Sequence, residues 1–147
     1  MVTATARAKT SEKNPFRRMR TDHATETGED YVELVADLLD IKGEARTVDL
    51  AKRLGVTAVT VSKTIQRLEK SGLIKTEPYR SIFLTEKGRK VAKDVKDRHD
   101  TVQAFLEAIG VRPEIAKEDS EGMEHHISKE TLNCMKRFLR KSTRKRG

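Results

Sequence analysis

The sequence predicts a mainly α-helical chain carrying one small β-hairpin, and two observations predict it. Apolar residues recur at helical spacing in separate runs bounded by capping residues, and only residues 73–84 switch to short β-prone runs. Hydrophobic residues make up 35% of the 147 and charged residues 37%, enough apolar material for a core and too little for a bilayer-spanning run. No early apolar segment resembles a signal peptide, so the expected setting is the cytoplasm, with no membrane partner. The lone Cys134 excludes an internal disulfide and a cysteine-rich zinc site, and it is expected to pack inside the last helix. Without Trp, and with 4% aromatics, the chain has no aromatic platform for stacking bases.

Residues 1–28 show no hydrophobic period and read as a disordered basic arm. Tyr31, Leu34, Val35 and Leu38 then mark a first helix that Gly43 ends. Thr47 is expected to cap a short second helix to about Leu54, with Val48, Ala51 and Leu54 on its apolar face. Gly55 makes the turn, and Val56 plugs the core behind it. Thr57 caps a third helix to about Ser71, its Val61, Ile65 and Leu68 facing inward. Leu73–Thr76 and Ser81–Leu84 read as a hairpin around Glu77-Pro78-Tyr79-Arg80. Thr85 caps a long fourth helix to about Ile109. Pro113 opens a fifth to about His125, and Ser128 caps a sixth bearing Leu132, Met135, Phe138 and Leu139. Lys141 to Gly147 form a basic tail.

Charge is segregated along this order. Residues 1–28 carry a net +3, 29–45 −5, 46–98 +8, 99–135 −5 and 136–147 +7, within a total of +8. The most basic stretch coincides with short helix, glycine turn, second helix and hairpin, which is a winged helix-turn-helix. With Val61, Ile65 and Leu68 committed to packing, Thr57, Ala58, Val59, Thr60, Ser62 and Lys63 remain near the exposed start of the second helix of that motif. They are small, hydroxylic or basic, the types that reach base edges, thymine methyls and phosphates in a major groove. Arg67 further along suits phosphate, and Tyr79 and Arg80 at the wing tip suit backbone or minor-groove contact.

A second constellation is acidic. Glu121, Glu124 and His125 fall at i, i+3, i+4 and share a helix face. Asp30 and Glu33 stand at i, i+3 on the first helix, and His99 lies on the fourth. Three helices could bring these carboxylates and imidazoles to one point as a hard, mixed oxygen and nitrogen metal site. His126 points to a different face from His125, toward the surface or the periphery of the site.

Asp30-Tyr31-Val32-Glu33, Arg98-His99 and Glu121-Gly122-Met123-Glu124-His125-His126, with the winged motif between them, resemble the diphtheria-toxin-repressor family and its manganese transport regulator branch. The resemblance runs from about Asp30 to about Leu139. It implies that Asp30, Glu33, His99, Glu121, Glu124 and His125 ligate a pair of divalent metals, with Mn(II) expected and Fe(II) possible. It implies a homodimer that binds an operator in double-stranded DNA and represses metal-uptake genes when Mn(II) is bound. The expected organisation is a basic arm (1–28), a winged helix-turn-helix DNA-binding domain (29–90), a helical metal-binding and dimerisation domain (91–140) and a basic tail (141–147). No nucleophile, oxyanion donor or substrate pocket is evident, so the chain reads as a non-enzyme. A metal-independent winged-helix repressor, and a metalloenzyme, are the competing readings.

Overall fold

The computed structural model describes the backbone of residues 15–146 apart from Arg80, and side chains from Thr25 onward. The order is α1 (Pro15–Lys42), α2 (Thr47–Leu54), α3 (Ala58–Lys70), β1 (Ile74–Lys75), β2 (Phe83–Leu84), α4 (Glu86–Ala108), α5 (Pro113–Met123) and α6 (Lys129–Arg144). α1 starts about four turns before the predicted boundary, so residues 15–28 of the expected disordered arm are helical. Residues 1–14 lie outside the described residues. Pro15 suits a first helical turn, where its missing N–H costs nothing. The expectation failed because it demanded an apolar stripe, and the first half of α1 has none.

The capping chemistry explains most boundaries. Thr57, Thr85 and Ser128 each accept a hydrogen bond from the backbone N–H three residues on, at the starts of α3, α4 and α6. Thr47 does not cap α2: it is already helical, and Arg46 holds the cap position without a side-chain bond. Gly55 ends α2 at φ 67°, the left-handed conformation that lets the chain reverse into α3.

β1 and β2 pair antiparallel, Ile74 opposite Leu84 and Lys75 opposite Phe83. The loop before α2 lies along the wing: Ile82 N–H donates to the Ala45 carbonyl at 2.7 Å, and Ala45 N–H donates to Ser81 Oγ at 2.7 Å. At the wing tip Tyr79 is fully exposed at φ 61°, a strained value for a residue with a Cβ.

Two apolar clusters result. The first joins Val32, Val35, Leu38, Leu50, Val61, Ile65, Leu68, Ile74 and Leu84 across α1, α2, α3 and the wing. The second joins Val102, Leu106, Ala116 and Met135 across α4, α5 and α6. α4 packs on α1 as well as on α5 and α6, and so ties the two clusters together. Within the first, Leu50 is the fully buried residue of α2, whereas Val48 is exposed, and so is Val56, which does not plug the core as expected. Leu50 follows Val48 by two residues, which on a helix is the opposite face. Cys134 is exposed too, not packed: Met135 takes the inward position beside it.

Gly88, in the first turn of α4, is buried against the wing, and a Cβ there would overlap the Leu73 carbonyl oxygen. Gly88→Ala is therefore expected to destabilise by about 1–3 kcal/mol, the usual cost of overpacking. A thermal melt checks this, and an unchanged midpoint would show that α4 can shift off the hairpin freely.

Candidate metal centre and nucleic-acid interface

The C-terminal end of α5 and the turn after it place Glu124 and His125 against α1 and α4. Both are buried, although both are ionisable. Glu124 Oε2 lies 2.6 Å from His99 Nδ1 on α4, and Ser120 Oγ stands 3.4 Å from the same nitrogen. His125 is enclosed by carboxylates. Its Nδ1 donates to Glu29 Oε2 at 2.7 Å, and its Nε2 faces Asp30 Oδ1 at 3.0 Å and Glu124 Oε1 at 3.4 Å. That Nε2 is buried and aligned in a hydrogen bond with neither.

The charges here are far from their ordinary state. Burial pushes the Glu124 carboxyl up to about 7, with His99 opposing and Glu33 adding to the rise. Burial alone would lower the His125 imidazole, but the carboxylates of Asp30, Glu29 and Glu124 outweigh it and carry it up to about 10. Glu33 is raised by burial and by Asp37, with His99 acting against the rise. Glu29 moves the other way: burial opposes its ionisation, but His125 and Arg98 hold it below the usual carboxylate range.

Four of the six expected ligands are linked in a chain of contacts, His99 to Glu124, Glu124 to His125 and His125 to Asp30, and Glu33 lies near enough to act on them electrostatically. Asp30 and Glu33 come from α1, His99 from α4, and Glu124 and His125 from the end of α5. Glu121 does not join them: it is exposed one turn earlier on α5. His126 sits at the edge as expected, its Nε2 3.1 Å from Glu26 Oε2. Glu26 was missed because it falls within the residues expected to be disordered, and Glu29 because its partners Arg98 and His125 are far away in sequence. Candidate ligand atoms of Glu26, Asp30 and His125 lie within 4.8 Å of one another. Glu26 is one turn before Asp30, an i, i+4 spacing that would have revealed it had α1 been extended.

These pKa shifts fix the sign of the pH dependence. Glu124 and His125 hold protons more tightly in the folded chain than at their ordinary values of 4.5 and 6.5. The stability they contribute is fully present below those values and is lost as pH rises through about 7 and about 10. Glu29 contributes with opposite sign, its share present above 4.5 and lost on acidification. The metal-free chain is expected to melt at lower temperature at pH 9 than at pH 6. A midpoint that rises over this range would contradict the assignment.

The DNA-reading candidates form an exposed surface. Thr57, Ala58, Val59, Thr60, Ser62, Lys63 and Arg67 are all exposed on or beside α3, and Tyr79 is exposed on the wing. Thr57 Oγ1 and Thr60 Oγ1 are hydrogen-bonded at 3.0 Å, which orients both hydroxyls at the start of the helix. Arg80 lies outside the described residues. No described helix is long and apolar enough to cross a membrane.

A winged helix-turn-helix joined through one long helix to a buried carboxylate and histidine cluster defines a metal-responsive, DNA-binding transcriptional regulator. Residues 23–82 match the family profile described as iron dependent repressor, N-terminal DNA binding domain, and residues 85–146 match the one described as iron dependent repressor, metal binding and dimerisation domain. The transcriptional regulator MntR of Escherichia coli O157:H7 is 50% identical over 126 residues, covering 86% of this chain and 81% of the relative. The HTH-type transcriptional regulator MntR of Bacillus pumilus is 41% identical over 104 residues, 71% of this chain and 72% of the relative. Among solved structures, a manganese-dependent transcriptional repressor in complex with manganese aligns with TM-score 0.69 at 27% identity, over 76% of this chain and 52% of that one. The manganese regulator SloR aligns with TM-score 0.68 at 23% identity over 77% and 53%, a likeness of fold. This chain spans about half the length of those two solved chains. The chain belongs to the diphtheria-toxin-repressor family of metal-dependent regulators, with its manganese-regulator branch.

Proposed function

We propose that the chain is a Mn(II)-responsive repressor of metal-uptake genes, and that Asp30, Glu33, His99, Glu124 and His125 hold the metal, with Glu121, exposed one turn earlier on α5, turning in to complete the set when the ion binds. The observation that carries this reading is the buried Nε2 of His125, which faces two carboxylates without an aligned hydrogen bond to either, where α1, α4 and the end of α5 meet. Hard oxygen donors with imidazole suit Mn(II), and Fe(II) is the second ion such a set takes. Two ions per subunit accord with the number of donors. A divalent cation would replace the single proton charge that His125 carries among these carboxylates with a larger one.

The residues then act as a clamp. α1 belongs to the core of the DNA-binding half and carries Asp30 and Glu33, whereas Glu124 and His125 belong to the C-terminal half. Drawing these groups together fixes how the α3 surface sits relative to the dimer partner. Two α3 helices about 34–36 Å apart would then meet successive major grooves of an operator. Met135, on the apolar face of α6, is buried in the subunit's own core. Partly exposed Phe138, with Leu132 and Leu139 beside it, remains for a partner. This reading involves no catalysis.

The test is operator binding against free Mn(II), using a duplex selected from a random pool by the Mn-loaded chain. Binding that tightens with Mn(II) supports the reading, and binding indifferent to Mn(II) and to chelators overturns it. On the same duplex, Lys63→Ala and Arg80→Ala are each expected to flatten the log–log salt slope by about 0.9, one released counterion. Thr60 substitutions should instead change which sequences the pool returns.

A further inference from the structure

We infer that Glu29, anchored by Arg98, is the positioning residue that fixes the His125 ring and presents its Nε2 as a metal ligand. The inference rests on the metal-responsive reading above. Glu29 and Asp30 are consecutive on α1, so their side chains diverge by about 100° around the helix. They straddle one imidazole: Glu29 takes Nδ1 at 2.7 Å, and Asp30 faces Nε2 at 3.0 Å. Nδ1 is thereby committed as a donor. Only Nε2 remains to offer a lone pair, and the ring plane is set by a carboxylate that is itself held.

Arg98 is what holds it. Its Nη2 donates to Glu29 Oε1 at 2.6 Å, so each Glu29 oxygen has its own partner, one on α4 and one after α5. Glu29 is largely buried, at 13% side-chain exposure, and His125 more so, at 1%. With both oxygens engaged, Glu29 is not free to swing across and compete with Asp30 as a ligand. A carboxylate behind a ligating histidine fixes the tautomer and makes the ring more basic toward the ion, and loss of such a partner typically costs 10–100-fold in metal affinity.

The experiment measures Mn(II) binding directly, by the EPR signal of free Mn(II), on the full chain, alongside melts of the metal-free protein. Glu29→Gln keeps the shape and a hydrogen bond to Nδ1 but removes the charge. It is expected to weaken Mn(II) binding about 10-fold. The metal-free midpoint should fall as well, because the charged pairs with Arg98 and His125 are lost, so binding is compared at a temperature where every variant is folded. Glu29→Ala should lose more, up to about 100-fold. Arg98→Met should weaken binding too, and adding it to Glu29→Ala should cost little more, because Arg98 acts through Glu29. Arg98→Lys, which keeps the charge, should recover part of the loss. If wild type binds Mn(II) and both Glu29 variants bind it equally well, Glu29 is only a strut between helices and the inference falls. If wild type binds no Mn(II), the repressor reading fails first and takes this one with it.

Discussion

His125→Ala is expected to abolish the metal response. In the wild type, coupling between metal and DNA should be worth about 1–3 kcal/mol, a tightening of roughly 5–150-fold at saturating Mn(II). In the variant the ratio should fall to about 1, since an effector with no preference between two states shifts neither. His125 faces the carboxylates of Glu29, Asp30 and Glu124 at once, and among the described residues no other is paired with all three. Removing the ring takes away a nitrogen ligand and the cation that holds those carboxylates together when metal is absent. α3 is untouched by the change, so weak, salt-sensitive binding to random duplex should persist. Anisotropy titrations with and without Mn(II) decide it, and a variant that still responds like wild type would remove His125 from the metal site.

Part of the proposed ligand set was legible in the sequence: Asp30 and Glu33 stand at i, i+3 on one face of α1, whereas Glu124 and His125, adjacent and just beyond the end of α5, were reached only through the i, i+3, i+4 pattern that begins at Glu121. The winged module was legible for the same local reason, through Gly55, the Thr57 cap and the β-prone runs before Thr85. What escaped was non-local. Glu29 pairs with Arg98, 69 residues away, and His125, 96 residues away, and no periodic pattern marks a charge whose burial depends on such distant partners. The helical extension to Pro15 escaped because a helix without an apolar stripe gives no periodic signal. Cys134 and Val48 show the opposite error. Each is apolar beside apolar neighbours, yet each lies about 100° or more around its helix from the residue that is buried, Met135 or Leu50.

Phe138→Glu is expected to separate dimerisation from metal binding and to cost the most in DNA affinity. Phe138 packs edge-on against Phe105, ring centroids 5.4 Å apart, and is still 42% exposed. Ile109, one turn after Phe105 on α4, is exposed as well. Apolar side chains so placed, in the half of the chain that matches a dimerisation profile, are suited to burial against a second subunit. A carboxylate at Phe138 would be buried without a partner in that interface, a cost that a dimer of ordinary stability does not survive. The metal site is built from α1, α4 and the end of α5, so the variant should still bind Mn(II). Its operator affinity should fall by about 10²–10⁴-fold, because a monomer engages one half-site and loses the effective concentration that links two. Sedimentation and operator titration, both with Mn(II) present, test the two halves of this expectation. A variant that remains dimeric and binds the operator as wild type does would place the subunit interface elsewhere than on the exposed face of α6.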